Sequence, residues 1–363
     1  MIILWGGFMI TKEKILKMYT YALTNSPIID KNMCLAFVYN NPDSIHDTLH
    51  ISECVMPSER DMIINSFESV CKVVKPFASE LEFIKNIPML KHDFKEVFVY
   101  SMAQDVTGVG RRCLIPLLCD YLDFRNINAD FQSCYLGGNK KAMYEILSQN
   151  KNLHFPFTIF VSSIEEITMT VNHLNEGKYL VKPNDESAGI GIKLINISSE
   201  TRNSVINLLQ DYIKKYTIFC IQEFLCGDEV EVPLLYFNHD YFCPGSCLIL
   251  KDPDTLFLDY NTVALERYHF SNYSSHLNDQ IQEQSIAVAN TLKFKGISRI
   301  DFIISNNKPY IIDIGPNPTI STHSSTNYLF KNAFFNNEES IYILLLLSFL
   351  SQIDSFKPSL NAT

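Results

Sequence analysis

Basic residues are in short supply in this 363-residue chain, where 30 Lys and Arg face 40 Asp and Glu for a formal charge of −10. Holding a phosphate backbone or an anionic membrane takes clustered cations, so neither nucleic acid nor membrane is an expected partner, and each basic residue is expected to act locally. The ten cysteines follow no regular spacing. A chain of this length has no need of a disulfide framework, so a reducing, cytoplasmic setting is expected. Cys243 and Cys247 lie close together in a polar loop, but a zinc site takes three or four convergent ligands and no second pair accompanies them. Membrane-length apolar runs are also absent: Met1–Ile10 and Ile341–Leu350 fall far short of the ~20 residues that cross a bilayer. Met1–Ile10 lacks the basic start of an export signal, and Met9 is an alternative start. Ile341–Leu350 follows the pair Glu338–Glu339, which suits a helix N-terminus, and reads as a buried terminal helix.

What is present is a globular composition, 47% hydrophobic and 19% charged, the opposite of a disordered chain. The length predicts two or three packed units. Cys34–Tyr39 reads as a buried strand, and a helix is expected from Ser58 with an apolar face of Met62, Ile63, Phe67 and Val70. Strand Glu96–Met102, the turn Gly108–Val109–Gly110 and a helix over Arg111–Leu122 continue an alternating α/β pattern. Beyond Asn139 a helix to Gln149, a strand at Phe157–Val161, a helix at Ile164–Leu174 and a strand at Tyr179–Val181 are expected. Strands at Ile218–Phe224, Val230–Phe237, Ser246–Leu250, Ser298–Ile304 and Pro309–Ile314 follow, interrupted by a helix over Asp279–Leu292.

Three stretches carry chemistry. In Val181–Ile192 a strand delivers Lys182 to the small-residue loop Glu186, Ser187, Ala188, Gly189, Ile190, Gly191, whose backbone N–H groups can approach an anion; a solvated turn is the alternative. In Ile221–Glu231 an apolar strand and a tight turn lead to alternating carboxylates, which suits either adenine and ribose recognition or a hairpin with a solvated acidic face. In Arg299–Ile303 and Ile311–Pro318 two strands each bring an aspartate, Asp301 and Asp313, among apolar neighbours. Such carboxylates need compensation, by magnesium shared with nucleotide phosphates or by Arg299.

In this order the three stretches resemble the ATP-grasp superfamily, and within it the D-alanine–D-alanine ligase type. Asp313–Ser324 tracks that family's terminal motif without gaps, Gly138–Asn139–Lys140 sits where the family places another phosphate lysine, and the likeness covers roughly residues 96–325. The resemblance implies an α/β (α+β) ATP-grasp fold: an N-terminal domain over 1–137, a central lid over 138–226, and a C-terminal subdomain over 227–363. It implies ATP, with magnesium or manganese, and a carboxylate–amine ligase working through an acyl phosphate on small amino-acid or carboxylate substrates, as a homodimer. Lys140, Lys182 and the loop Glu186, Ser187, Ala188, Gly189, Gly191 would meet the phosphates. Gln222, Glu223 and Leu225 would meet adenine, and Glu229 the ribose. Asp301 and Asp313 would hold the metal, Arg299 would stabilise developing charge, and His323 and Ser324 would sit at a substrate carboxylate.

The departures bear on substrate. Gly315 stands where the family has an asparagine ligand, with Asn317 as the expected substitute. Ala188 replaces a serine, and Val263–Ala264 stand where a Lys–Tyr pair is usual. Amino acids other than two D-alanines are therefore expected, with a nucleotide-binding module that has lost turnover and a true D-alanine–D-alanine ligase as alternatives. Pro57–Ser58–Glu59–Arg60 resembles the family's Glu–Arg sequence near a substrate amine; a first-turn helix carboxylate is the alternative reading of Glu59. Arg111 and Arg112 suit a carboxylate clamp or a solvated pair.

Overall fold

The computed structural model describes residues 11–44, 48–334, 340–353 and 356; Met1–Ile10 and Glu338–Glu339 lie outside them. Three sheets carry the chain. The first is parallel throughout, with Val74–Phe77, Met33–Val38, Glu96–Ser101 and Arg125–Asn126 side by side in that order. Its two central strands are near-continuous apolar runs because both faces are covered. Cys34, Ala36, Val97 and Val99 face the helices Glu80–Asp93 and Leu114–Leu122. Leu35, Phe37, Phe98 and Tyr100 face the other way, toward helix Pro57–Glu68 and the terminal helix Ser340–Leu350. That terminal helix is buried on every side, as its unbroken apolar sequence requires, and no described helix is long and apolar enough to cross a membrane.

The middle sheet is antiparallel, ordered Thr158–Val161, Phe219–Glu223, Gly177–Pro183, Lys193–Ile197. Helices Ile164–His173 and Arg202–Lys215 cover one face. The last sheet runs Tyr268–Asn272, Cys247–Lys251, Asp228–Phe237, Ile297–Ser305, Lys308–Pro316, with the short strand Asp240–Phe242 also paired to Asp228–Phe237. Helix Asn278–Leu292 packs on it through Ile281, Val288 and Leu292.

The expected strands are present, with shifted ends. Sequence periodicity did not expose the strands Val74–Phe77, Lys193–Ile197 and Tyr268–Asn272, nor the helices Lys12–Thr24, Arg202–Lys215 and Ser325–Ala333. Ser58 does not cap its helix: Met56 is the N-cap and Pro57 opens the first turn, a position where its missing N–H costs nothing. The helix expected from Arg111 begins at Leu114, because Gly108–Gly110 forms a separate 3-10 turn.

Glu80 begins helix Glu80–Asp93, where Ser79 caps Glu82 and Glu82 bonds back to Ala78 N. Its own carboxyl is buried and neither oxygen has a hydrogen-bond partner. Burial first, and Asp105 second, push it up to about 8. A carboxyl raised on folding binds its proton more tightly in the folded state, so its contribution is full below the unfolded value and is lost as pH rises toward about 8. Between pH 5 and 8 this group should cost on the order of 2–4 kcal/mol. Glu80→Gln should flatten that decline in chemical unfolding measured at several pH values; an unchanged slope would remove Glu80 as its source.

Candidate active site

A cleft of about 880 Å³ opens between the middle and last sheets, with Glu53, Glu59, Arg111 and Arg112 of the N-terminal part on its wall. Its charged floor is built by register. Glu231, Asp301 and Asp313 are cross-strand neighbours on three adjacent strands of the last sheet. The register between Ile297–Ser305 and Lys308–Pro316 slips just after Asp301, leaving Ile312 as an extra residue. The carbonyl of Ile312 accepts Lys182 Nζ at 3.2 Å. Lys182 thus reaches across from the middle sheet to the last one, while Lys140 Nζ lies 3.5 Å from Asp313 Oδ1 and donates to the Glu186 carbonyl at 2.9 Å. Burial works against the charge on Asp313, but Lys140 and Lys182 outweigh it and hold this carboxyl below the ordinary range.

Arg299 lies on the same face two residues before Asp301 and donates from Nε and Nη2 to its two oxygens at 2.7 and 2.8 Å. The third nitrogen, Nη1, is 3.4 Å from Glu231 Oε2. One guanidinium cannot compensate two buried carboxylates fully. Burial therefore pushes Glu231 up to about 8 against the pull of Arg299, and raises Asp301 as well.

The glycine loop is tied to the N-terminal part of the chain. Arg111 bridges Glu53 at 3.1 Å and Glu186 at 2.8 Å. Ser187 donates to the other oxygen of Glu53, and His50 lies 3.3 Å from Glu186. Arg112 bonds Gln104, the Asn317 carbonyl and, more loosely, Glu53. The two arginines are thus a clamp on carboxylates of this same chain. Ala188 adopts a left-handed φ of 49°, a conformation that costs a side-chain-bearing residue free energy. Next to it Gly189 leaves no room for a Cβ, which would stand 2.5 Å from the Asp259 carbonyl carbon. The loop therefore rests against the segment around helix Tyr260–Ala264. Asn184 closes the other end, accepting Lys141 N on its side chain and Lys140 N on its backbone.

Gln222, Glu223 and Leu225 line the cleft on the strand and linker joining the middle and last sheets. Gln222 is held by Thr158 at 3.0 Å. Glu229 also reaches the cleft, paired at 3.0 Å with Lys251. Ser324 caps helix Ser325–Ala333, accepting Asn327 N at 3.1 Å and donating to the Ser321 carbonyl. His323 lies edge-on to Tyr268 and tilted to Phe270, each ring centroid 4.9 Å away, with Nδ1 4.0 Å from Glu266. Glu59 is buried with one oxygen unpartnered, and burial raises it to about 7.

Asn317, the expected substitute ligand, is already engaged in this structure. Its side-chain oxygen accepts Asn128 Nδ2 at 2.5 Å, and its backbone turns left-handed with φ 79°. That amide is spent on joining the last sheet to the N-terminal part and takes no place among the cleft residues. The donors that remain, Asp301 and Asp313, fit magnesium, a hard cation that takes one or two carboxylates and completes its shell with phosphate oxygens and water. Among the described residues no three His, Cys, Asp or Glu converge into a cage made of protein alone. Glu53, Glu231, Lys251 and Ser325 escaped the motif reading because their partners lie far away in sequence. The only local signal was the alternation of acids at Asp228, Glu229 and Glu231.

Residues 157–345, more than half of the chain, match the family model described as D-ala D-ala ligase C-terminus. The chain belongs to that family. Among curated relatives, the D-alanine–D-alanine ligase of Flavobacterium psychrophilum is 28% identical over 149 residues, 40% of this chain and 44% of that protein. The one from Pseudothermotoga lettingae is 23% identical over 298 residues, 78% of this chain and 93% of its own length. The chain spans about half the length of several of the curated relatives it matches. Two solved structures share the fold: D-alanine–D-alanine ligase from Bacillus anthracis complexed with ATP (TM-score 0.65, 13% identity, 88% of this chain and 98% of the other) and VanG D-Ala:D-Ser ligase from Enterococcus faecalis (TM-score 0.63, 14% identity, 88% and 99%). The architecture is thus the mixed α/β ATP-grasp fold that the motifs implied.

Removing one partner of the loop clamp should have a measurable cost. Arg111→Ala leaves Glu53, whose side chain is 3% exposed, with Arg112 at 3.7 Å, and should destabilise the chain by about 3 kcal/mol. Backbone amides of residues 185–192 should exchange faster in hydrogen-exchange mass spectrometry, while those of the first sheet stay protected. Unchanged loop exchange would mean that the clamp does not order the loop.

Proposed function

We propose that this chain is an ATP- and magnesium-dependent ligase that activates a carboxylate as an acyl phosphate and joins it to an amine, with amino acids other than two D-alanines as substrates. The observation that carries this reading is the convergence of Lys140, Lys182, Arg299, Asp301 and Asp313, from three separate parts of the chain, on one cleft. Magnesium held by Asp301 and Asp313 would supply charge neutralisation on the transferred phosphoryl group. Lys140 and Lys182 would draw the nucleotide phosphates to the sheet junction. The Glu186–Gly191 loop, fixed by Arg111 and Glu53, would cover them and exclude water. Gln222, Glu223 and Leu225 would flank adenine, and Glu229, once exchanged from Lys251, would meet ribose hydroxyls. The substrate carboxylate would attack the γ-phosphorus and ADP would leave with the bridging oxygen; the neutral amine would then attack the acyl carbon, phosphate would leave, and the nitrogen would give up its proton. Phosphoryl transfer asks mainly for positioning and charge compensation, and Arg299 would meet the negative charge that develops.

Ser324 and the helix end it caps would receive a substrate carboxylate, with His323 beside it, and Glu59 offers an unpartnered oxygen to an amine. Ala188 and Ala264 remove hydroxyls from the pocket wall, which favours a substrate larger than alanine. The division into units at residues 137 and 226, a homodimer and a cytoplasmic location belong to the same proposal. A second reading, nucleotide binding without turnover, is supported by Asn317, whose side-chain oxygen is taken by Asn128 where the family asparagine would be free to bind a metal.

A screen of amino-acid pairs for ATP-dependent phosphate release, with product masses measured, separates the readings. Release only when an amino acid is present supports the ligase, and nucleotide binding without release for any pair supports the module. A screen dominated by D-alanyl-D-alanine would overturn the substrate proposal. Asp301→Asn and Asp313→Asn should each lower turnover by at least about 100-fold with little change in thermal unfolding, and weaken nucleotide chiefly when magnesium is present. Parental turnover in both variants would remove the metal assignment.

A further inference from the structure

We propose that Glu231 is the anchor that keeps Arg299 in the cleft when Asp301 turns to a metal ion, which makes it a positioning residue for the reaction. The inference rests on the ligase reading above and answers a conflict within it. Arg299 occupies both oxygens of Asp301 at 2.7 and 2.8 Å. A magnesium ion takes its carboxylate ligands at about 2.1 Å, so a metal on Asp301 would set a second cation against the guanidinium on the same carboxylate, and the repulsion loosens at least one of the two guanidinium bonds. The charge of Arg299 is wanted in the cleft at that moment.

Asp301 alone would then be a poor tether. Glu231 supplies a second one through a different nitrogen: Nη1, which Asp301 does not use, lies 3.4 Å from Glu231 Oε2. The guanidinium has five N–H donors in a planar fork, so it can keep this contact while the other edge lets go. Glu231 sits one strand over, in register with Asp301, and is 4% exposed. Ser325, 1% exposed at the start of its helix, donates its hydroxyl to the same oxygen. That oxygen is therefore placed by a strand and a helix other than those that carry Asp301 and Asp313. A second buried carboxylate beside an arginine already paired twice is costly as a mere counter-ion. It is well placed as a pivot.

The test uses the full chain and the isosteric Glu231→Gln. ADP binding is followed by calorimetry across a magnesium titration, alongside steady-state turnover on the best pair from the screen. With the pivot's carboxyl replaced by an amide, Arg299 stays on Asp301. The magnesium concentration for half-maximal tightening of ADP should rise several-fold, while ADP affinity at saturating magnesium stays within about twofold, and kcat should fall about 10–100-fold with KM for ATP unchanged. Glu231→Asp, which keeps a carboxyl group, should recover part of the magnesium response, and Ser325→Ala should shift it the same way by less. An unaltered magnesium response would overturn the proposal, as would an ADP loss equal with and without magnesium. Should Glu231→Gln fail to fold, Ser325→Ala carries the same test. A shifted magnesium response in a protein whose parent turns over no amino-acid pair would keep the pivot and reject the ligase reading.

Discussion

The cleft depends on the compensation of carboxylates held in a sheet. Glu231, Asp301 and Asp313 stand side by side because three strands share a register, and no sheet tolerates such a row without cations close by. Arg299 comes from the same strand as Asp301, whereas Lys140 and Lys182 are brought from the other side of the cleft. The same charges that hold the sheets together across the cleft are those a nucleotide and its metal would take over. A site preorganised by its own ion pairs needs little new structure on loading, only an exchange of partners.

A second set of ion pairs sets the height of the roof. Glu53, Arg111 and Glu186 connect the N-terminal part to the glycine loop, and Asn128 with Asn317 connects it to the last sheet. Apolar packing supports these polar joints, since the terminal helix Ser340–Leu350 shares one core with the first sheet and with Leu235 and Phe237 of the last. The first sheet is thus packed against the last one behind the cleft, and the polar joints decide where the loop lies over it.

Much of this was legible in the sequence where the signal is local. The buried strands of the first sheet, the Arg-x-Asp strand, the lysine before its glycine loop and the apolar terminal helix all follow from residue type and spacing over a few positions. Amphipathic elements with weak patterns were less visible: more than half of Arg202–Lys215 is polar, and the four-residue strand Val74–Phe77 contains a proline. Asn317 shows the limit of a motif, because its proximity in sequence to Asp313 says nothing about the direction its amide takes after a left-handed turn.

By itself the sequence determined the fold family and the chemical types assembled in the cleft, since backbone propensity and motif order act over short distances. Only tertiary structure decided which carboxylate each cation meets. Arg299 could have paired with any of three neighbouring acids, and Arg111 with solvent; the strand register, the extra residue at Ile312 and the packing of the N-terminal part chose Asp301 with Glu231 for one and Glu53 with Glu186 for the other. Ion pairs are settled by distances of a few ångströms between residues remote in the chain, and those distances exist only once the sheets have packed.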